Sequence, residues 1–185
     1  MSGPAPLGGS YQAWADHLER WSKGEPVDGA GLPPLAPADF PADTLERLQV
    51  RITDALDRRL QRWADALVAA MNAADDEFAA GRALAQARGG LHQARSLAAH
   101  PGLPAELRER LSGILDDTAR RIQQDLENDL VRLAAQGADP RFVEARRRTL
   151  RDNPLTAVIA QTPPADPGGW SYDPTAVPRR RIITD

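Results

Sequence analysis

The pattern of apolar residues predicts a long amphipathic helix over residues 43–80. Leu45, Leu56, Leu67 and Phe78 follow one another at a constant spacing of eleven residues. This repeat brings an apolar side chain to the same face about every 3.67 residues, which keeps the stripe on one side of a straight helix. The core residues predicted from this stretch are Leu45, Ile52, Leu56, Trp63, Leu67 and Phe78.

A second stretch, residues 104–136, repeats the spacing. Pro104 suits the first helical position, because its missing N–H has no partner there, and Gly137 suits the position after the end. The two predicted helices are about 57 Å and about 50 Å long at a rise of 1.5 Å per residue. Because their lengths match, we expect a long antiparallel helical hairpin or coiled coil. Its second helix contributes the core residues Leu111, Leu115, Ile122, Leu126 and Leu133.

Glycines between the two helices indicate a break, and the sequence offers two positions for it. The apolar stripe loses its phase at Gly81. The pair Gly89-Gly90 lowers the helix propensity by about 1–2 kcal/mol. We therefore expect the first helix to end or bend at one of these positions, and Pro101 to lie in the connection to the second helix.

The chain ahead of the long helix divides into three parts. Residues 1–9 are rich in Pro and Gly, and we expect them to be disordered. Residues 10–24 predict a short amphipathic helix with Ser10 as its N-cap and Gly24 after its end. Residues 25–42 contain five prolines, which is typical of a semi-extended linker.

One face of the short helix carries four large apolar side chains. A helix of this length is marginal on its own in water, so this face must pack against another surface. We favour packing on the long helices of the same chain or of a twin, with a groove on a partner protein as the alternative. The four side chains are Tyr11, Trp14, Leu18 and Trp21.

The chain after the second long helix combines a short helix with a tail. Asp139-Pro140 predicts a helix start, which extends a helical bundle domain over residues 43–161. Residues 162–185 are rich in Pro and Gly, so we expect a tail that is disordered when free. The tail either docks a partner or folds back over its own bundle. Its predicted partner-binding residues, of the type that anchors interfaces, are Trp170, Tyr172, Ile182 and Ile183.

Charge is nearly balanced overall but not along the chain. The formal net charge is −3, whereas residues 140–152 carry five Arg against two acids. Such a cluster suits phosphate contacts, but we expect Phe142 to be buried, which leaves no aromatic ring to stack on bases. We favour a solvated face or salt bridges to the long helices, and we interpret the arginines between Arg47 and Arg62 as solvated surface too. The candidate anion-binding or nucleic-acid-binding residues are Arg141, Arg147, Arg148 and Arg151.

Composition argues against several kinds of chemistry. The chain has no Cys, which excludes disulfides, thiolate catalysis and Cys-based metal sites. Its three His lack the Glu-x-x-His spacing of di-iron bundles, and no nucleophile or phosphate-loop motif occurs. We therefore expect no catalytic, cofactor or metal site. The absence of a signal peptide and of a membrane-spanning run predicts a cytoplasmic protein, and much Ala with Arg preferred over Lys is typical of a GC-rich bacterial genome.

These features predict an all-α protein that is not an enzyme. We expect a helical protein–protein interaction or regulatory module that docks an unidentified partner through its tail. The alternative is a nucleic-acid-associated or transcription-regulatory protein that uses the face between Arg141 and Arg151. Two long helices alone cannot cover so wide an apolar stripe. Either shorter flanking helices complete the bundle within one chain, or two chains pair as a homodimer, which we favour.

Overall fold

The computed structural model describes residues 8–25, 27, 29, 31–36 and 40–160, and every regular element in this part is a helix. The prediction of an all-α protein is confirmed. None of these helices is long and apolar enough to cross a lipid bilayer. The helices are α1 (Gly8–Ser22), α2 (Ala42–Ala73), α3 (Glu77–Ala98), α4 (Ala105–Ala135), α5 (Pro140–Asp152) and the single turn α6 (Ala157–Ala160).

The stretch predicted as one long helix is two helices, α2 and α3, and they are separated at residues 74–76. Ala74 leaves the helical conformation, and the extended Asp76 is the N-cap of α3, with its carboxylate accepting the N–H of Ala79 at 2.6 Å. This bond satisfies a backbone donor that has no partner inside the helix. The prediction of a break at Gly81 or Gly89-Gly90 was wrong, because all three glycines lie inside α3.

Contacts between side chains show how the helices are arranged. Arg59 of α2 contacts Gln93 of α3, and Trp63 contacts Ala87, so the two helices run in opposite directions. Helices α4 and α5 pack against α3, and α4 also contacts α2. The bundle is therefore built from α2, α3, α4 and α5, with α1 packed along α2.

The core lies between these helices, and most of the predicted core residues line it. Ile52, Leu56, Leu67, Leu111, Leu115 and Leu126 are buried, while Leu45, Trp63, Ile122 and Leu133 are partly buried and pack against the same cluster. The prediction for Phe78 was wrong, because 79% of this side chain is exposed. The non-helical residues 74–76 reset the helical phase. As a result, α3 turns other residues inward, beginning with Ala80, Ala83 and Leu84.

Two glycines end helices as predicted. Gly24 and Gly137 have φ angles of 89° and 83°, a conformation that only glycine adopts at little cost. The N–H of Gly24 donates to the Trp21 carbonyl at 3.0 Å, and the next N–H donates to the Arg20 carbonyl at 3.2 Å. This paired pattern satisfies the last carbonyls of α1.

Gly90 has a different role, since it allows Trp63 to approach the backbone of α3. A Cβ atom added at Gly90 would lie 2.8 Å from Cδ1 of Trp63. The indole Nε1 of Trp63 also donates to the Ala87 carbonyl at 2.8 Å. At the neighbouring Gly89 an added Cβ would meet nothing within 4 Å. The two adjacent glycines therefore differ in function, although their sequence context is similar.

We expect alanine substitutions at these two glycines to change the stability of the fold in opposite directions. Gly89→Ala stabilises the fold by about 0.5–1 kcal/mol through helix propensity. Gly90→Ala destabilises it by about 1–2 kcal/mol, because the new methyl group overlaps the Trp63 ring. Urea unfolding followed by circular dichroism measures both. Equal stabilisation by the two substitutions would contradict the close packing of Trp63.

Candidate interaction surface

Helix α1 packs on the bundle of its own chain. The exposed fractions of Trp14, Leu18 and Trp21 are 0%, 4% and 6%, and Tyr11 is partly buried. The apolar face of α1, which was predicted to need another surface to pack against, therefore packs on α2 of the same chain. This arrangement corresponds to the first of the two interpretations of that face.

Arginines of α2 hold the C-terminal end of α1. Arg59 donates to the Trp21 carbonyl at 2.8 Å, and its guanidinium lies 5.3 Å from the centre of the Trp21 ring. Arg62 donates to the Ser22 carbonyl. Carbonyls at the end of a helix carry the negative end of the helix dipole, so they favour cations, and the Trp21 carbonyl accepts from Arg59 in addition to the Gly24 N–H. Burial, and to a lesser degree the charge of Arg62, lowers the pKa of Arg59.

The interpretation of these arginines as solvated surface was wrong for Arg59, which is partly buried. Arg47, Arg51, Arg58 and Arg62 are exposed, as expected. Two of the exposed arginines also donate to α1: Arg62 to the Ser22 carbonyl, and Arg51 to the hydroxyl of Tyr11 at 3.1 Å. Exposure alone therefore does not show which arginines contact α1.

The linker after α1 covers one end of the bundle, which we call the covered end. This end carries the connection between α3 and α4. Nε1 of Trp14 donates to the Pro33 carbonyl at 2.8 Å, and the N–H of Leu35 donates to the Gly102 carbonyl at 2.7 Å. His100 accepts the Gly102 N–H at Nδ1, so its Nε2 carries the hydrogen that reaches the Gly29 carbonyl at 2.8 Å.

The opposite end of the bundle, which we call the open end, has no such cover among the described residues. It carries the connections from α2 to α3 and from α4 to α5. Four of the five large apolar side chains that are exposed in the described part lie within five residues of these helix ends. Exposed apolar groups near one end of a soluble protein are candidates for an interaction site. They are Val68, Phe78, Val131 and Phe142.

Arg146 fixes the structure of the open end. It is only 4% exposed, donates from Nη2 to the Ala74 carbonyl, and lies 5.1 Å from the centre of the Phe142 ring. Its Nη1 is buried and has no hydrogen-bond partner in the described part. Burial lowers the pKa of Arg146, and the carboxylates of Asp76 and Asp75 oppose this effect. Arg146 therefore joins α5 to the end of α2.

The other arginines of α5 point outward. Arg141, Arg147 and Arg148 are exposed and form no salt bridge with any described residue. Arg151 lies 3.8 Å from Asp152 of its own helix. Of the two arrangements expected for these arginines, a solvated face or salt bridges to the long helices, the described part of the chain has the solvated face. The expectation that Phe142 is buried was wrong, because 39% of it is exposed.

Comparisons with known protein families, curated proteins and solved structures give no significant match. Function therefore has to be inferred from these surfaces. No group of three or more His, Asp or Glu side chains in the described residues is arranged to hold a metal ion. The predicted partner-binding residues of the tail, Trp170, Tyr172, Ile182 and Ile183, lie outside the described residues.

We expect Arg59→Ala to loosen α1 and Arg58→Ala to leave it in place. Arg59 contributes a charged hydrogen bond and a ring contact, so its loss destabilises the fold by about 1–2 kcal/mol. Arg58 lies next to it on the same helix and is exposed, which makes it a matched control. Hydrogen exchange of the α1 amides, measured together with urea unfolding, tests this. Equal effects of the two substitutions would show that Arg59 does not hold α1.

Proposed function

We propose that this protein is a non-enzymatic helical interaction module that docks a protein partner on the open end of its bundle. The observation that supports this most is Phe78, which is 79% exposed. Aromatic side chains are frequent anchors at the centre of protein interfaces. Val131 and Phe142 are further exposed apolar side chains near the same end.

The difference between the two ends supports the proposal. At the covered end, α1 and the linker bury Trp14, Leu35 and Phe40 against the bundle. The chain therefore covers apolar surface there with its own segments. At the open end, Arg146 and the Asp76 cap hold the helix ends in place, while the apolar side chains beside them stay exposed. A rigid surface with exposed aromatic groups is suited to docking, because little ordering is needed on binding.

Several finer predictions stay predictions. They include a coiled-coil pairing of the long helices, a cytoplasmic location, a bacterial source and the docking of a partner by the tail. The homodimer was expected because two helices cannot cover the apolar stripe. Within the described residues, α1, α3 and α5 supply that cover in one chain. Light scattering of the full chain decides between monomer and dimer.

We expect Phe78→Ser to remove partner binding without unfolding the protein. Because Phe78 is so exposed, the free energy of unfolding should stay within about 0.5 kcal/mol of the wild-type value. The control is Val50→Ser, since Val50 is 53% exposed and lies on α2 away from the open end. Affinity capture from the source cells compares the three full-length proteins by mass spectrometry.

The supporting result is a protein retained by the wild type and by Val50→Ser but lost with Phe78→Ser. With that protein purified, the dissociation constant should rise at least about tenfold on Phe78→Ser, which corresponds to 1.4 kcal/mol. A set of captured proteins that is the same for all three chains would rule out the open end as the docking surface.

A second candidate function is the binding of nucleic acid by α5. It is favoured by one observation, the exposure of Arg141, Arg147 and Arg148 without salt bridges in the described part. Arginine donates several hydrogen bonds in a fixed plane, which suits phosphate groups. The net charge of −3 provides no general attraction, so binding would depend on this face.

We expect the double substitution Arg147→Ala/Arg148→Ala to weaken nucleic-acid binding if this second function is real. The slope of log K against the logarithm of the salt concentration should become less negative by roughly 2, since each phosphate contact on duplex DNA contributes about 0.9 to it. Arg120→Ala/Arg121→Ala on α4 is the control with the same change in charge. Fluorescence anisotropy with duplex and single-stranded DNA at several salt concentrations measures this. No binding at low salt removes this candidate.

A further inference from the structure

We propose that the C-terminal segment of the same chain, residues 179–183, covers the open end when no partner is bound. This inference rests on the proposed role of the open end as a docking surface. The segment reads Arg-Arg-Arg-Ile-Ile. It would act as an autoinhibitory cover that a partner displaces.

The chemistry of the open end is complementary to that segment. Asp75, Asp76 and Glu77 are exposed and form no salt bridge with any described residue, and the exposed Phe78 follows directly. Three acids and an apolar group thus face solvent together. The segment offers three cations followed by two apolar side chains. Opposite charges guide such a contact, and the apolar groups provide most of its affinity.

The chain is long enough to place this segment on the open end. The carbonyl of Val158 accepts a hydrogen bond from Arg95, so the described chain ends beside Arg95 on α3. Glu77 precedes Arg95 by 18 residues, which is about 27 Å along the helix. The 19 residues from Ala160 to Arg179 reach up to about 60 Å when extended. Because the segment belongs to the same chain, its effective concentration at the open end is about 1 mM, so even a weak contact keeps it bound there.

Other segments of the chain fit this surface less well. Residues 1–7 contain no Arg or Lys, so they lack the complementary charge. The linker after α1 is fixed at the covered end by the bonds from Trp14, Leu35 and His100. Residues 179–181 are the only run of three consecutive basic residues outside the described part. This leaves the tail as the segment of this chain that matches the open end.

The test uses the absence of Cys, which allows a single label. A nitroxide is attached to the full-length chain at Thr184→Cys, and amide signals of residues 74–82 are recorded by NMR without any partner. We expect their intensities to fall below half of the values in the reduced sample. The variant Arg179→Glu/Arg180→Glu/Arg181→Glu should restore them. The substituted positions do not belong to any of the helices α1 to α6.

A charge exchange provides the matched control. When Asp75→Arg/Glu77→Arg is added to the triple Arg→Glu tail variant, the loss of NMR signal should return. Asp76 is kept because it caps α3. Asp125→Arg/Glu127→Arg, on the exposed face of α4, should not bring the loss back. Unchanged signals in the labelled wild-type tail would overturn the inference. So would signal loss in a mixture of labelled and isotope-enriched chains, because it shows contact between two copies.

The two proposals fail in different ways. If the label has no effect but partner capture still depends on Phe78, the docking surface stands and the cover does not. If the label broadens residues 74–82 but capture does not depend on Phe78, the open end is covered by its own tail and is not the docking surface.

Discussion

Arginine side chains link the helices of this bundle. They donate hydrogen bonds to backbone carbonyls at or just beyond the ends of other helices. Arg59 and Arg62 bind the last turn of α1, Arg146 binds the end of α2, and Arg95 binds α6. Carbonyls at helix ends carry the negative end of the helix dipole, so a planar cation with several donors binds them well. Each of these bonds also joins two segments of the chain that are distant in sequence.

Much of the helical architecture could be predicted from the apolar pattern, but the position of the break could not. Helix propensity predicts a break at Gly89-Gly90, yet both glycines lie inside α3, where Trp63 packs against Gly90. The true signal was Asp76, a good N-cap that stands beside two further acids and therefore looks like part of a charged surface. The eleven-residue repeat assumes one continuous helix, so it also predicts Phe78 in the core, whereas the break at residues 74–76 leaves this side chain exposed.

The candidate site was harder to predict than the fold, because its key contacts are distant in sequence. Arg59 and Trp21 are 38 residues apart, and Arg146 and Ala74 are 72 residues apart. The acceptor in each case is a backbone carbonyl, which every residue has, so no residue pattern marks it. An outward arginine such as Arg147 and an inward one such as Arg146 are neighbours with the same chemistry. Only the assembled helices decide which of them is buried.

A tail that covers the open end would increase the affinity that a partner needs in order to bind there. If the cover is closed in nine of ten molecules, the apparent dissociation constant of a partner rises about tenfold, or 1.4 kcal/mol. A partner that contacts Phe78 and its neighbours gains more than this from burying one aromatic side chain. A weaker ligand that makes only charge contacts with Asp75 and Glu77 does not. The cover would therefore select for partners that bring apolar surface, since surface charge alone contributes little at physiological salt.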